Sequence, residues 1–397
     1  MKNFLKRAAA AAVSLALLAG MLPAAGAADG GVEARLASMT LREKVGQLFL
    51  VRPEVLDFEK TSDGSVLTDS MRENLKQYPV GGIVLFRQNM VDEKQMKKLI
   101  RDYQKASGTP MLIALDEEGG SVARLANNRA FDVPKKYASA AAVGATGDPE
   151  QAREMGKTIG RYMKRYGFNL DFAPVADVNT NPDNPVIGKR AFSSDPETAA
   201  QMVSAAVQGF HESGMLCTLK HFPGHGDTSE DSHYGAAATA KTWGEMKEAE
   251  LLPFEAGIAA GADVVMTAHI MTPNATADGL PASLSYTMLT ERLRGELGFT
   301  GVICTDGLGM KAITDHYTPA EASVAALKAG ADILLLPADI RNAFDGVVNA
   351  VETGEISEER LDESVRRILL LKEKTGLFSS GKPDSLYGWI KQLWTTD

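Results

Sequence analysis

The stretch Met215–Gly235, MLCTLKHFPGHGDTSEDSHYG, changes character halfway along. Its first part, Met215–Phe222, is mostly apolar, as a strand covered on both faces must be, and it closes on Lys220 and His221. The second part is a loop rich in glycine, serine and acids, with Asp227, Asp231 and His233 among its titratable groups. An apolar run that ends on charged side chains and opens into a polar loop fits a parallel α/β sheet, where ligand sites collect at the carboxyl ends of strands.

Seven other runs behave alike: Val45–Val51, Val80–Phe86, Pro110–Asp116, Phe168–Asp177, Ala262–Ile270, Gly301–Gly307 and Ala331–Pro337. They are continuous rather than alternating, which predicts strands buried on both faces. Helix signals lie between them. Asp148-Pro149, Asp195-Pro196 and Thr318-Pro319 each pair an N-cap residue with a proline at the first helical position. Gly214 and Gly330 stop the second and third of these helices. In the last long helix, Leu361, Val365, Ile368 and Leu369 share a face. Eight βα units predict a single (β/α)8 TIM-type barrel over 28–376. Two doubly wound domains would need a Pro/Gly/Ser-rich linker near the middle, and none is there.

The 397-residue chain carries a formal net charge of −9, which argues against a nucleic-acid partner, because phosphate binding needs clustered Lys and Arg. Lys2, Lys6 and Arg7 form a basic head before an apolar run, Ala8–Leu22, and the small residues Ala24–Ala27. That layout predicts a secretory signal peptide over 1–27, and with it an exported protein, secreted or held in the cell envelope. The run is short for a bilayer span, no Cys near the cleavage site suggests a lipid anchor, and no later segment reads as a membrane span. Beyond Gly376 comes a tail, 377–397, with Leu386, Trp389, Ile390, Leu393 and Trp394 at helical spacing, read as a short amphipathic helix. The only cysteines, Cys217 and Cys304, fall inside strand runs and are expected to be buried structural thiols.

Polar residues gather where the runs end: Asp116, Asp177, Lys220 with His221, His269, and Asp306. One such residue means little, but five successive strands ending this way mark a site. In the loop, Asp231 stands two residues before His233, close enough for a carboxylate to orient an imidazole for proton transfer. A D-x-H alone is a weak signal, more often a pair of surface residues bonded to loop backbone. His221, His225, His233 and Asp227 suggest zinc, but their spacing matches no familiar ligand set and Lys220 beside them disfavours a cation. No metal and no cofactor are expected. There is no G-x-S-x-G elbow, P-loop or dinucleotide fingerprint.

Four segments in this order carry a resemblance: LDEEGGSVARL from Leu115, FAPVADVNTNPDNPVIGKRAFSSDP from Phe172, KHFPGHGDTSEDSHYG from Lys220 and GVICTDGLGM from Gly301. Together they resemble the β-N-acetylglucosaminidase branch of family-3 glycoside hydrolases. The resemblance implies a retaining mechanism in which Asp306 is the nucleophile, His233 the acid/base and Asp231 its dyad partner. It also implies that Asp116, Arg124, Arg190, Lys220 and His221 hold the terminal N-acetylglucosamine. His269 and Met310 are placed in the pocket without a chemical role, and Asp177 is read as either a contributor or structural. Ser121 departs from the arginine common after the E-G-G of the family. A histidine acid/base on the barrel's own loop needs no large second domain, and none is expected.

The function this implies is exo-hydrolysis of terminal β-linked N-acetylglucosamine, from peptidoglycan fragments or muropeptides, by a monomer. A β-glucosidase or an N-acetylglucosaminide phosphorylase would use the same site. An exported sugar-binding protein without catalysis is the reading of another class, and it gives no reason for Asp306 to accompany a D-x-H loop.

Overall fold

The computed structural model of the chain describes residues 31–230 and 237–378. The predicted signal peptide and all but the first two residues of the predicted tail lie outside them. All eight apolar runs contain a strand: β1 Phe49–Val51, β2 Gly82–Val84, β3 Leu112–Leu115, β4 Leu170–Asp171, β5 Thr218–Phe222, β6 Val264–Thr267, β7 Val302–Thr305 and β8 Leu334–Leu335. Every residue of these strands is buried, as expected of strands covered on both faces.

All pairings between these strands are parallel. A five-stranded sheet runs β8-β1-β2-β3-β4 and a three-stranded sheet runs β7-β6-β5. The edges meet in isolated parallel bridges, Leu170 to Leu216 and Val175 to Lys220 on one side, Cys304 to Ile333 on the other. The result is an α/β fold on a curled parallel sheet. A helix follows each strand; in order the first seven are Asp69–Gln77, Glu93–Ala106, Pro149–Tyr166, Pro196–Ser213, Leu252–Ala259, the π-helix Thr287–Glu296 and Pro319–Ala329. Ile340–Glu352 and Glu358–Lys374 follow β8. No helix among the described residues is long and apolar enough to cross a membrane.

The helix signals are obeyed. Asp148 and Asp195 accept hydrogen bonds from Glu150 N and Thr198 N, Thr318 forms a capping box with Glu321, and Gly214 and Gly330 take left-handed conformations with φ 73° and 119°. One strand boundary needs correcting. Val45, Gly46 and Gln47 are the end of a helix, Leu41–Gln47, started by a capping box of Thr40 and Glu43. A short apolar run does not distinguish a buried strand from a buried helix face.

The two ends of the sheet differ. The amino ends are closed by Glu358–Lys374, which donates from Arg360 to Ala331 O at 2.8 Å, from Lys372 to Gly81 O at 2.9 Å and from Lys374 to Asp263 at 2.9 Å. Leu361, Val365, Ile368 and Leu369 are the buried face of this helix, as their spacing predicts. The carboxyl ends stay open around a cavity.

Candidate active site

The carboxyl ends of all eight strands contribute to a cavity of about 350 Å³, near the lower limit of the ~300–1,000 Å³ typical of small-molecule sites. Its walls include Phe86, Phe172, Met266, Met310 and Leu336, and its polar lining is Arg52, Asp116, Glu118, Arg124, Arg190, Lys220, His221 and Asp306. The sequence-predicted residues Asp116, Arg124, Arg190, Lys220, His221 and Asp306 therefore meet in one place, and Met310 joins them as expected. Asp231 and His233 lie outside the described residues.

Lys220 and His221 are consecutive on β5, where side chains would alternate between faces. The register of β5 against β6 shifts between Leu219 and Phe222, and both side chains line the cavity. Lys220 is buried, with its ammonium 2.7 Å from Asp116 Oδ1 and 2.6 Å from Glu118 Oε1. Burial alone would lower its pKa; the two carboxylates outweigh that and raise it, so it stays charged. Asp116, just past β3, also meets Arg124 Nη2 at 3.4 Å. Burial works to raise its pKa, but Lys220 and Arg124 hold it below the usual range. Arg124 lies over the Phe86 ring, 5.4 Å from its centroid.

Arg190 comes from a 3₁₀ turn, Gly188–Arg190, in the long loop after β4. It is fixed by Glu118 through two hydrogen bonds, Nε to Oε2 at 2.8 Å and Nη2 to Oε1 at 2.7 Å. Burial would raise the pKa of Glu118, but Lys220 and Arg190 pull it down to about 2. Glu118 is the residue that sequence reasoning missed. It stands in the D-E-E-G-G segment, and its place two residues after Asp116 was the available signal.

His221 is oriented from behind. Its Nδ1 lies 2.7 Å from Asp177 Oδ2, and Arg190 Nη2 approaches Nε2 at 3.3 Å. This arrangement fits a neutral ring carrying its proton on Nδ1, with Nε2 accepting from the guanidinium. Asp177 Oδ1 also accepts from His221 N at 3.2 Å and His225 N at 2.7 Å. Asp177 does not line the cavity. Of its two readings, contributor or structural, the geometry supports a supporting role behind His221.

His269 is a correction. It is buried, does not line the cavity, and spans Ser283 Oγ at 2.7 Å and Gly307 O at 3.0 Å. It steadies the turn after Asp306 instead of facing the cavity. Ser121, the departure from the family pattern, is exposed and also outside the lining. Cys217 and Cys304 are buried and not joined to each other, as expected.

Asp306 caps β7, and its Oδ1 accepts from Gly307 N at 2.7 Å, which fixes the plane of the carboxylate on the cavity wall. The same lining carries Arg124, Arg190 and Lys220, each paired with an acid, and His221, held by Asp177. A wall of oriented, charge-assisted donors and acceptors facing one carboxylate suits a polyhydroxylated ring whose one reactive carbon is presented to that carboxylate.

A family model, glycosyl hydrolase family 3 N terminal domain, matches residues 40–371. Beta-hexosaminidase A of Pseudoalteromonas piscicida is 36% identical over 335 residues, 78% of this chain and 56% of that protein. The chain thus spans little more than half of that relative's length. A beta-hexosaminidase of Stenotrophomonas maltophilia (strain K279a) is 39% identical over 277 residues, 69% of this chain and 81% of that protein. Among solved structures, a glycoside hydrolase family 3 beta-N-acetylglucosaminidase from Paenibacillus sp. str. FPU-7 superposes with a TM-score of 0.79 at 38% identity, covering 90% of this chain and 68% of that one.

Proposed function

The chain belongs to glycosyl hydrolase family 3, and on that premise we propose that it is a retaining exo-β-N-acetylglucosaminidase. The observation that carries this reading is the position of Asp306, fixed by Gly307 N at 2.7 Å on the wall of a cavity sized for one sugar ring. Its carboxylate attacks the anomeric carbon while the glycosidic oxygen leaves with a proton, and water then releases the sugar from the ester. His233 supplies and recovers that proton, with Asp231 as its partner. Asp116, Arg124, Arg190, Lys220 and His221 hold the hydroxyls of the terminal sugar. The likeness to enzymes named beta-hexosaminidase and beta-N-acetylglucosaminidase supports the 2-acetamido sugar as substrate.

The scaffold is read as one (β/α)8 barrel. The parallel order of two sheets, with bridges across both seams, supports closure. The signal-peptide layout supports export, and cell-wall fragments are the proposed source of substrate, handled by a monomer. Amino-terminal sequencing of protein recovered from the envelope or medium tests the export step, with Ala28 expected first.

The deciding experiment is turnover of an aryl β-N-acetylglucosaminide by Asp306→Ala. The expected result is loss of activity to the level of a blank preparation. Wild-type turnover would overturn the reading. Product analysis with and without phosphate separates hydrolysis from phosphorolysis, and aryl β-glucoside run in parallel separates a glucosidase.

A further inference from the structure

At the end of the sheet away from the cavity, three different metal-ligating side chains meet. His211 lies in the last turn of helix Pro196–Ser213, Cys217 directly precedes β5 and Asp263 directly precedes β6. His211 Nε2 is 2.9 Å from Asp263 Oδ2, Cys217 Sγ is 3.8 Å from His211 Nε2, and Cys217 Sγ is 3.9 Å from Asp263 Oδ2. Their ligand atoms all lie within 4.8 Å of one another.

We propose that His211, Cys217 and Asp263 form a site for a thiophilic divalent cation of the zinc class, separate from the catalytic cavity. The donor set is the first reason. A thiol, an imidazole and a carboxylate together suit zinc, and a tetrahedral ion with bonds of about 2.3 Å to sulfur and about 2.0 Å to nitrogen or oxygen spaces its donors roughly 3.3–3.6 Å apart. The three observed separations fall within about half an ångström of that spacing, so small side-chain shifts suffice.

Access and orientation are the second reason. The side chain of Asp263 is only 2% exposed while that of His211 is 35% exposed, which leaves an entry path on the imidazole side. Asp263 is oriented by other contacts. Cys217 N donates to Oδ2 at 3.2 Å, and Lys374 Nζ donates to Oδ1 at 2.9 Å. Contacts that orient a ligand from outside the coordination sphere are what metal sites need. Lys374 occupies the other oxygen and its side chain is 61% exposed, so it can turn away toward water. On binding, the thiol proton leaves to solvent, and His211 coordinates as the neutral tautomer protonated on Nδ1. The fourth position falls to water. The bound ion would tie the end of helix Pro196–Ser213 to the starts of β5 and β6.

The test uses the full chain, stripped with chelator and titrated with Co²⁺, whose tetrahedral thiolate complexes show intense visible and near-ultraviolet bands. One equivalent of Co²⁺ should produce those bands, and Zn²⁺ should displace it. Cys217→Ser and His211→Ala should abolish them, while Cys304→Ser and Asp306→Asn should keep them. Zn²⁺ should also raise the melting temperature of the wild type and leave that of Cys217→Ser unchanged. Absence of thiolate bands in the wild type would overturn the proposal. So would bands that survive Cys217→Ser, or bands lost with Asp306→Asn, which would place the ion in the catalytic cavity. Should Cys217→Ser fail to fold, His211→Ala, altered at the exposed edge, carries the same comparison.

Discussion

Glu118 and Arg190 face each other through two parallel hydrogen bonds of 2.7 and 2.8 Å, and Glu118 Oε1 also meets the Lys220 ammonium at 2.6 Å. One buried carboxylate thus holds a buried ammonium and a half-buried guanidinium side by side. Without it, Arg190 and Lys220 repel each other across a space that water reaches poorly.

Replacing Glu118 with Gln keeps its size and removes the charge. The expected result is a destabilisation of about 3–5 kcal/mol, the usual cost of breaking one partner of a buried ionic cluster. KM for an aryl N-acetylglucosaminide should rise about tenfold or more if Arg190 and Lys220 hold the sugar as proposed, because both lose their fixed positions. Urea denaturation and steady-state kinetics measure the two effects. A wild-type urea midpoint in this variant would show that Glu118 does not organise the cluster.

The same cluster sets an acid limit on stability. Glu118 has its pKa lowered from 4.5 to about 2, against the effect of burial, by Lys220 and Arg190. A carboxylate depressed on folding gives stability that is fully present above its unfolded pKa. That stability is lost as pH falls toward the folded value. The window therefore runs from about pH 4.5 down to about pH 2, and the shift corresponds to about 3 kcal/mol. Asp116 and Asp177 are lowered as well and add to the slope. Denaturation from pH 5 to pH 3 should show wild-type stability falling more steeply than that of Glu118→Gln. Parallel curves would refute the assignment.

Lys372 gives the opposite kind of pH dependence. It is buried beneath the sheet, donates to Gln47 Oε1 at 2.6 Å and Gly81 O at 2.9 Å, and burial lowers its pKa from 10.5 to about 7. Between pH 7 and pH 10.5 the unfolded chain binds the extra proton, so stability should rise with pH across that window. Below pH 7 the burial cost is fully present. Lys372→Met removes that cost but leaves two acceptors unpaired, at about 1–3 kcal/mol each. Its advantage over the wild type should therefore be greatest near pH 6 and shrink by a few kcal/mol by pH 10, read from denaturant midpoints. A pH-independent difference would mean that Lys372 keeps its charge in the folded protein.

The eight strands were legible because burial on both faces imposes an apolar run that sequence cannot disguise. Their lengths were not. The run Phe168–Asp177 narrows to Leu170–Asp171, and Pro174 within it has no N–H to give a ladder. Val45–Gln47 went to a helix because the Thr40–Glu43 capping box just upstream starts one there. Strand-end residues foretold the lining of the cavity where side chains stand at the rim, as Asp116, Lys220 and Asp306 do. His269 was misplaced because a strand end specifies position and not direction; its partners Ser283 and Gly307 are decided by tertiary contacts. Glu118 stayed unassigned for the same reason, since its partner Arg190 is 72 residues away.

The acid/base role proposed for His233 is open to a test that separates chemistry from folding. Protonation matters in proportion to the basicity of the departing oxygen. A dinitrophenolate leaves without help, whereas the hydroxyl of a second sugar does not. Removing a general acid typically costs about 10²–10⁴-fold where protonation is needed. His233→Ala should therefore lose about that much on a β-1,4-linked disaccharide of N-acetylglucosamine and less than about tenfold in glycosylation of the enzyme by the dinitrophenyl glycoside. The second step still needs a base to activate water, so the dinitrophenyl substrate should show a burst of phenolate followed by slow turnover. Adding azide, a nucleophile needing no base, should restore the steady rate and yield the glycosyl azide. Equal losses on both substrates, with no burst and no azide rescue, would assign the proton to another residue and leave His233 a place only in binding.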